Sequence, residues 1–412
     1  MPALLVALPW GLLVGLPALA TLACFARPAL AAVVTAAAVA GIAVALVMLP
    51  AGGSLGATVA FGSFGRGALW LALAGITVAM ALPAGPDDAP PGVLWLTTLA
   101  AVGLVLLSRT PLLVTATLLL VALVVPAYGP AGPGSAWRRT LAAGAVVLFF
   151  GFVAERLAVP QVTDLSLAGA LVGGFLLVLG MTPFGLAQVR WLRGAGHRVA
   201  VVAGCCLGPA LVVVASDWSG ALGSLHLLRP NRPATTIAVF AALTLVGVAL
   251  HALTARGWRD LAADGIVADL ALAVLAVGVG SLDGAALALV ALVVVRPLML
   301  LLDRAALPAG LGRLATLAAL AGAAGMPPAV SFAARLLVLG AALGAGDAVV
   351  ALLVVGLVVE VVATGRVVLR RVAARDAVVA RPGQILVAGV LPVLGLVAGL
   401  FPGGVLERVW GG

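Results

Sequence analysis

Apolar runs follow one another along the whole chain, separated by short joints of Pro, Gly and Arg. Most runs are about 17 to 25 residues long, the length at which a helix crosses the hydrocarbon core of a bilayer. Cutting at the joints gives about fourteen spans, near residues 3–24, 28–49, 67–83, 92–107, 110–127, 138–154, 166–183, 197–215, 234–254, 263–280, 283–302, 312–343, 347–369 and 384–402. Inside a bilayer the backbone must satisfy its own hydrogen bonds, so these runs predict helices. The first run has no basic leader and reads as a first span, not as a cleaved signal. The joints are too short to be linkers, and the expected fold is all-α and polytopic, one membrane domain over 1–412.

Two spans carry breaks. In the seventh, "VLGMTPFGLAQVR" places Thr182-Pro183 where the helix would otherwise continue. In the twelfth, "AGAAGMPPAVSFAARLLVLGAAL" does the same with Met326-Pro327-Pro328. Proline lacks the donor that the helical ladder needs and clashes with the preceding turn. The breaks lie five spans apart, an odd offset, so the second is approached from the opposite side of the membrane. That pattern predicts inverted five-helix repeats at 92–215 and 234–369, after three helices in 1–91 and before a last one in 384–412. Interrupted helices at matching places in two halves point to an ion or substrate path near the midplane.

Composition excludes the soluble classes: 64% of the chain is hydrophobic and 9% charged, with mean hydropathy +1.28. The net charge of +9 therefore belongs to membrane loops and implies no nucleic-acid partner. Every basic side chain is Arg, and most lie in loops after odd-numbered spans, as with Arg27, Arg138, Arg190, Arg193, Arg256, Arg304 and the group from Arg366 to Arg381. By the positive-inside rule those loops are cytoplasmic and both termini face outward. A multi-pass chain of the bacterial inner membrane is expected. Cys24, Cys205 and Cys206 lie in apolar runs without metal-ligand spacing, and His197, His226 and His251 are scattered. Neither a metal nor a cofactor is expected, and no phosphate loop or nucleotide fingerprint gives the chain a catalytic centre of its own.

The residues at the breaks carry a resemblance. "LAGAAGMPPAVSFAARLLVLGAAL" resembles the "AGIPPxxGFxxKF" twelfth helix of the antiporter-like membrane subunits found in NADH:quinone oxidoreductase (complex I), related hydrogenases and Mrp-type cation/proton antiporters, with Phe332 and Arg335 on its Phe and Lys. "GMTPFGLAQVRWLRGAGHRV" is similar to the same family's "VPFHxWLPDAYEGAPTPV", and "ALTARGWRDLAADGIVADLALAVLAVG" to its "ALxQxxxKRLLAYSSIAHxGYxxLG", with Arg259 on the Lys. "SRTPLLVTATLLL" sits where the family has "SRDLLxLYLGLEL". The correspondence covers roughly 92 to 403, and the chain's length suits the shorter subunits of the group. The resemblance implies other membrane subunits as partners and proton or cation translocation coupled to redox chemistry on those subunits.

The departures concern the proton path that the resemblance implies. Its Glu falls on Leu119, its seventh-helix Lys on Val178 and its eighth-helix Lys on Gly208, while the His after Pro-Phe is Gly185. The twelfth-helix cation survives as Arg335, which unlike Lys does not release its proton. The candidate path residues are Arg335, Glu360, Arg259, Asp269, His251 and Arg296. Arg335 and Glu360 lie on sequential spans at depths about 6 Å apart by helical rise, so they are expected to meet. Such a pair is either fixed and structural or contains a Glu360 that titrates, the alternative being a lipid- or partner-facing placement. Asp269 and Arg296, near span ends or motif loops, read as snorkelling or solvated, with a polar line through the second half as the other option. His251 reads as surface at a helix end. Two other functions stay open: a non-conducting scaffold whose relay has decayed, and a free-standing secondary transporter.

Overall fold

The computed structural model describes residues 2–49, 54–55, 59–60, 62–83, 92–108, 111–124, 134–156, 164–181, 185–224, 232–369 and 378–410. Helices α1 (Pro2–Ala26), α2 (Ala31–Met48) and α3 (Ser63–Ala81) come first. They are followed by α4 (Val93–Leu107), α5 (Pro111–Val124), α6 (Gly134–Arg156), α7 (Asp164–Val178) and α8 (Gly185–Gly194). A short α9 (His197–Val201) runs through a π segment, Val202–Leu207, into α10 (Gly208–Ser224). The second half holds α11 (Arg232–Ala252), α12 (Trp258–Gly278), α13 (Leu282–Arg304), α14 (Ala309–Ala324), α15 (Val330–Ala342) and α16 (Asp347–Leu369). Last come α17 (Pro382–Leu400) and the short α18 (Pro402–Val409), a surface helix absent from the sequence expectation. The strands are two-residue ladders between joints, such as Ala305–Ala306 beside Val378–Val379. Eight helices are long and apolar enough to cross a membrane by themselves, and shorter apolar ones lie among them.

The helices sort by burial. α12 and α13 are enclosed throughout their membrane stretch, whereas α2, α16 and α17 bury only a third of theirs and turn Leu and Val outward. A helix that is apolar on every side belongs in an interior or in lipid. The sequence of α12, rich in Ala, Gly and Val, explains why it takes the centre: small residues let neighbouring backbones approach. α11, α8 and α10 pack against α12, while α15, α17 and α3 pack against α13 on the other side of the pair.

Both expected breaks are present, and both are made the same way. α7 stops at Val178, and Gly180 takes φ +63°, with Met181 N donating to Leu176 O at 2.8 Å. α14 stops at Ala324, and Gly325 takes φ +65°, with Met326 N donating to Ala321 O at 2.8 Å. These are Schellman caps, in which a left-handed glycine closes the last turn. The helix resumes at Gly185 in one case and Val330 in the other. Pro327 and Pro328 lie in the second gap; Pro183, with Thr182, lies outside the described residues.

α17 holds the second break from outside. A Cβ on Gly399 would overlap the carbonyl oxygen of Pro328, so only glycine lets α17 seat on that exposed backbone. Overpacking of this kind costs about 1–3 kcal/mol. Gly399→Ala is expected to lower the thermal unfolding midpoint of the purified protein. Gly383→Ala, at the open start of the same helix, should leave it nearly unchanged.

Candidate functional site

Arg335 answers a local problem of the backbone. The break leaves the last carbonyls of α14 without helical partners, and a cation is favoured at a helix C-terminus. The guanidinium turns back over Gly325, donating from Nη1 to Ala324 O at 2.6 Å and from Nη2 to Ala323 O at 3.0 Å. Ser331 Oγ donates to Gly322 O at 2.6 Å, so three successive carbonyls are satisfied by residues of α15. A Cβ on Gly325 would occupy the guanidinium's place.

The same guanidinium meets Glu360 of α16, as expected, Nη2 donating to Oε2 at 2.7 Å. The pair is part of a larger array. Glu360 Oε1 accepts from Arg296 Nη2 of α13 at 3.0 Å. Arg296 also grips Asp269 of α12 side-on, Nε to Oδ2 at 2.7 Å and Nη2 to Oδ1 at 2.9 Å. Two guanidinium groups and two carboxylates thus run Asp269–Arg296–Glu360–Arg335 across four helices. None is more than 7% exposed. Snorkelling, the reading favoured for Asp269 and Arg296 from sequence, is therefore corrected: both are interior. The physical reason is Gly265, one turn before Asp269, where any Cβ would collide with the Arg296 guanidinium. The bare helix surface there lets the cation lie flat against α12 instead of reaching for the membrane edge.

His251 and Arg259 stand apart from this array. His251 is 21% exposed and its Nδ1 lies 3.1 Å from Asp264 Oδ1, so the plain-surface reading also fails. Asp264 is buried on α12 and is held from the other half of the chain by Arg193 of α8, which also bonds its Oδ1 from Nε at 3.2 Å. Arg259 Nη2 donates to Ala195 O at 2.7 Å and its backbone N to Asp303 Oδ1 at 3.3 Å. Asp303 in turn pairs with the buried His197, Nε2 to Oδ2 at 2.9 Å. Arg193, Asp264, His197 and Asp303 form a polar seam between the halves that the sequence reading missed. Their partners are 71 and 106 residues apart, and local periodicity carries no signal at that range.

The first half contrasts with the second. Val178 and Gly208 are buried and Leu119 packs against the core, Gly208 facing Leu270 of α12. Among the described residues from 92 to 215, the buried ionisable side chains are His197 and the thiols of Cys205 and Cys206, with no buried carboxylate or guanidinium. Where Arg335 overlies Gly325, a neutral amide, Gln188, overlies Gly180. Cys24, Cys205 and Cys206 are buried free thiols.

In chemical terms the guanidinium groups are fixed charges, and only Asp269 and Glu360 can change protonation within the array. Neither a family model nor a curated protein sequence matches the chain. Its shape does have counterparts among solved structures. It superposes on a chain of respiratory complex I from Thermus thermophilus with TM-score 0.75 and 22% identity, covering 98% of this chain and 100% of that one. A chain of the Mrp complex from Dietzia sp. gives TM-score 0.78 at 18% identity over 98% of this chain, which spans about half of it (51%). A chain of the membrane-bound sulfane sulfur reductase, an archaeal respiratory membrane complex, gives 0.76 at 16%, with 97% and 96% covered. At these identities the likeness establishes the fold, that of polytopic membrane chains, and the all-helical polytopic class expected from the sequence is the one observed.

Neutrality of the array makes a prediction. Arg296→Met leaves two carboxylates with one guanidinium in the interior, and breaking a buried pair this way costs about 3–5 kcal/mol. Arg296→Met combined with Asp269→Leu leaves the neutral Arg335–Glu360 pair. The double variant is expected to unfold at a higher temperature than the single one, and a double-mutant cycle measures the coupling.

Proposed function

We propose that this chain is an antiporter-like membrane subunit of a complex I-type or hydrogenase-type assembly, contributing to proton or cation translocation driven by redox chemistry on other subunits. The observation that carries this reading is the buried Asp269–Arg296–Glu360–Arg335 array beside a broken helix. Intramembrane ionisable groups at an interrupted span are the usual mark of an ion path. The partners in this reading are other membrane subunits. The fourteen spans are counted with α7–α8 and α14–α15 each as one broken span. The matched Gly-Met caps support inverted five-helix repeats at 92–215 and 234–369. Residues 1–91 then form the N-terminal helices and 384–412 the final one. The arginine-rich joints support an inner-membrane location with both termini outward.

A second reading is favoured by a separate observation. Among the described residues, Leu119, Val178 and Gly208 leave the centre of the first half without a charged relay, which suits a scaffold retained for its contacts.

Glu360→Gln in the intact assembly separates the two. It leaves two arginines facing one carboxylate, so the yield of assembled complex falls in either case, and transport is normalised to assembled complex. For a conducting subunit, ion transport per turnover measured in proteoliposomes falls by an order of magnitude or more, with electron transfer retained. Unchanged transport per assembled complex selects the scaffold.

A further inference from the structure

One nitrogen of Arg335 is left without a partner. Its two Nη atoms serve Ala323, Ala324 and Glu360, whereas Nε is buried with no acceptor. An unpartnered donor on a buried cation is costly enough to call for a partner. Arg335 also forms part of the wall of a cavity of about 240 Å³ that opens sideways between α15 and α16. Its other walls are apolar, among them Phe332, Leu336, Leu357 and Val358, with Gly325 of the break beside the arginine. Leu336 and Val358 are 52% and 56% exposed, which places the mouth on the membrane-facing surface.

The depth of the cavity decides what can fill it. Arg335 stands seven residues inside the end of α15 at Ala342, about 10 Å by helical rise. Acyl tails could fill the leucine and valine walls but carry no acceptor, and headgroup oxygens lie outside the hydrocarbon core. An acceptor at this depth comes from a protein side chain. A second copy of this chain is a poor source. Its exposed described carboxylates, Asp217, Asp283, Asp347 and Glu407, all lie at or beyond the ends of membrane stretches. We infer that the cavity receives a spanning helix of a different membrane subunit, which packs a large apolar side chain against Phe332 and Leu336 and sets a carboxylate or amide oxygen toward Arg335. This rests on the subunit reading above.

The test places a photo-reactive benzophenone residue at Leu336 or at Val358 in the full assembly in native membranes. Leu386 and Leu394, exposed on α17, serve as controls. Expected is a cross-link from the two cavity positions to one other chain, several-fold above the controls. Peptide mapping should place it in a spanning segment with Asp, Glu, Asn or Gln within one helical turn. Replacing that residue by Leu should lower the cross-link yield several-fold, and Leu336→Trp should reduce co-purification of the same chain. Lipid adducts alone, a cross-link to a second copy, or a partner segment without a side-chain oxygen overturns the inference while leaving the subunit reading intact. A chain that runs without membrane partners overturns both.

Discussion

A guanidinium in hydrocarbon cannot discard its proton, so it must be neutralised and hydrogen-bonded where it stands. Much of the second half of this molecule is arranged around that requirement. Two arginines enter from α13 and α15, two carboxylates from α12 and α16, and the four charges sum to zero. Two glycines remove side chains where the cations must lie, Gly265 under Arg296 and Gly325 under Arg335. The small residues of α12 allow four helices to converge closely enough for side chains of fixed length to meet.

The two breaks show what a charge adds to a shared cap. Both breaks end in the same glycine cap, yet one is overlaid by a neutral Gln188 and the other by Arg335. α12 touches both regimes. Its Asp264 is tied to α8 of the first half, and Asp269, five residues on, is tied to α13 of the second. The helix at the centre of the bundle is therefore also where the polar seam and the charged array come nearest along one backbone.

The sequence made the architecture legible to different depths. Span length and proline placement announced the membrane helices and both breaks, because those properties are local. Arg335 and Glu360 were predictable as a pair because they sit on consecutive antiparallel spans whose axial positions can be counted. Asp269 and Arg296 were misjudged. Nearness to a span end was taken as access to water, whereas both helices are buried throughout their membrane stretch. The readable clue was Gly265 so close to Asp269, an open patch of backbone beside an acid. The pairs Arg193–Asp264 and His197–Asp303 had no such clue, since they depend on how the halves dock. The cap at the second break was only half visible: the prolines mark the gap, but Gly325 and Arg335 finish the helix.

Arg335 gives the broken helix a particular mechanical character. One rigid planar group closes the carbonyl end of α14, belongs to α15 and holds the acid of α16. A shift of α15 by a single residue moves the plane by about 1.5 Å, enough to strain all three bonds together. One side chain thus pins three helices at a single point, like a rivet, and a displacement of any one of them is felt by the other two.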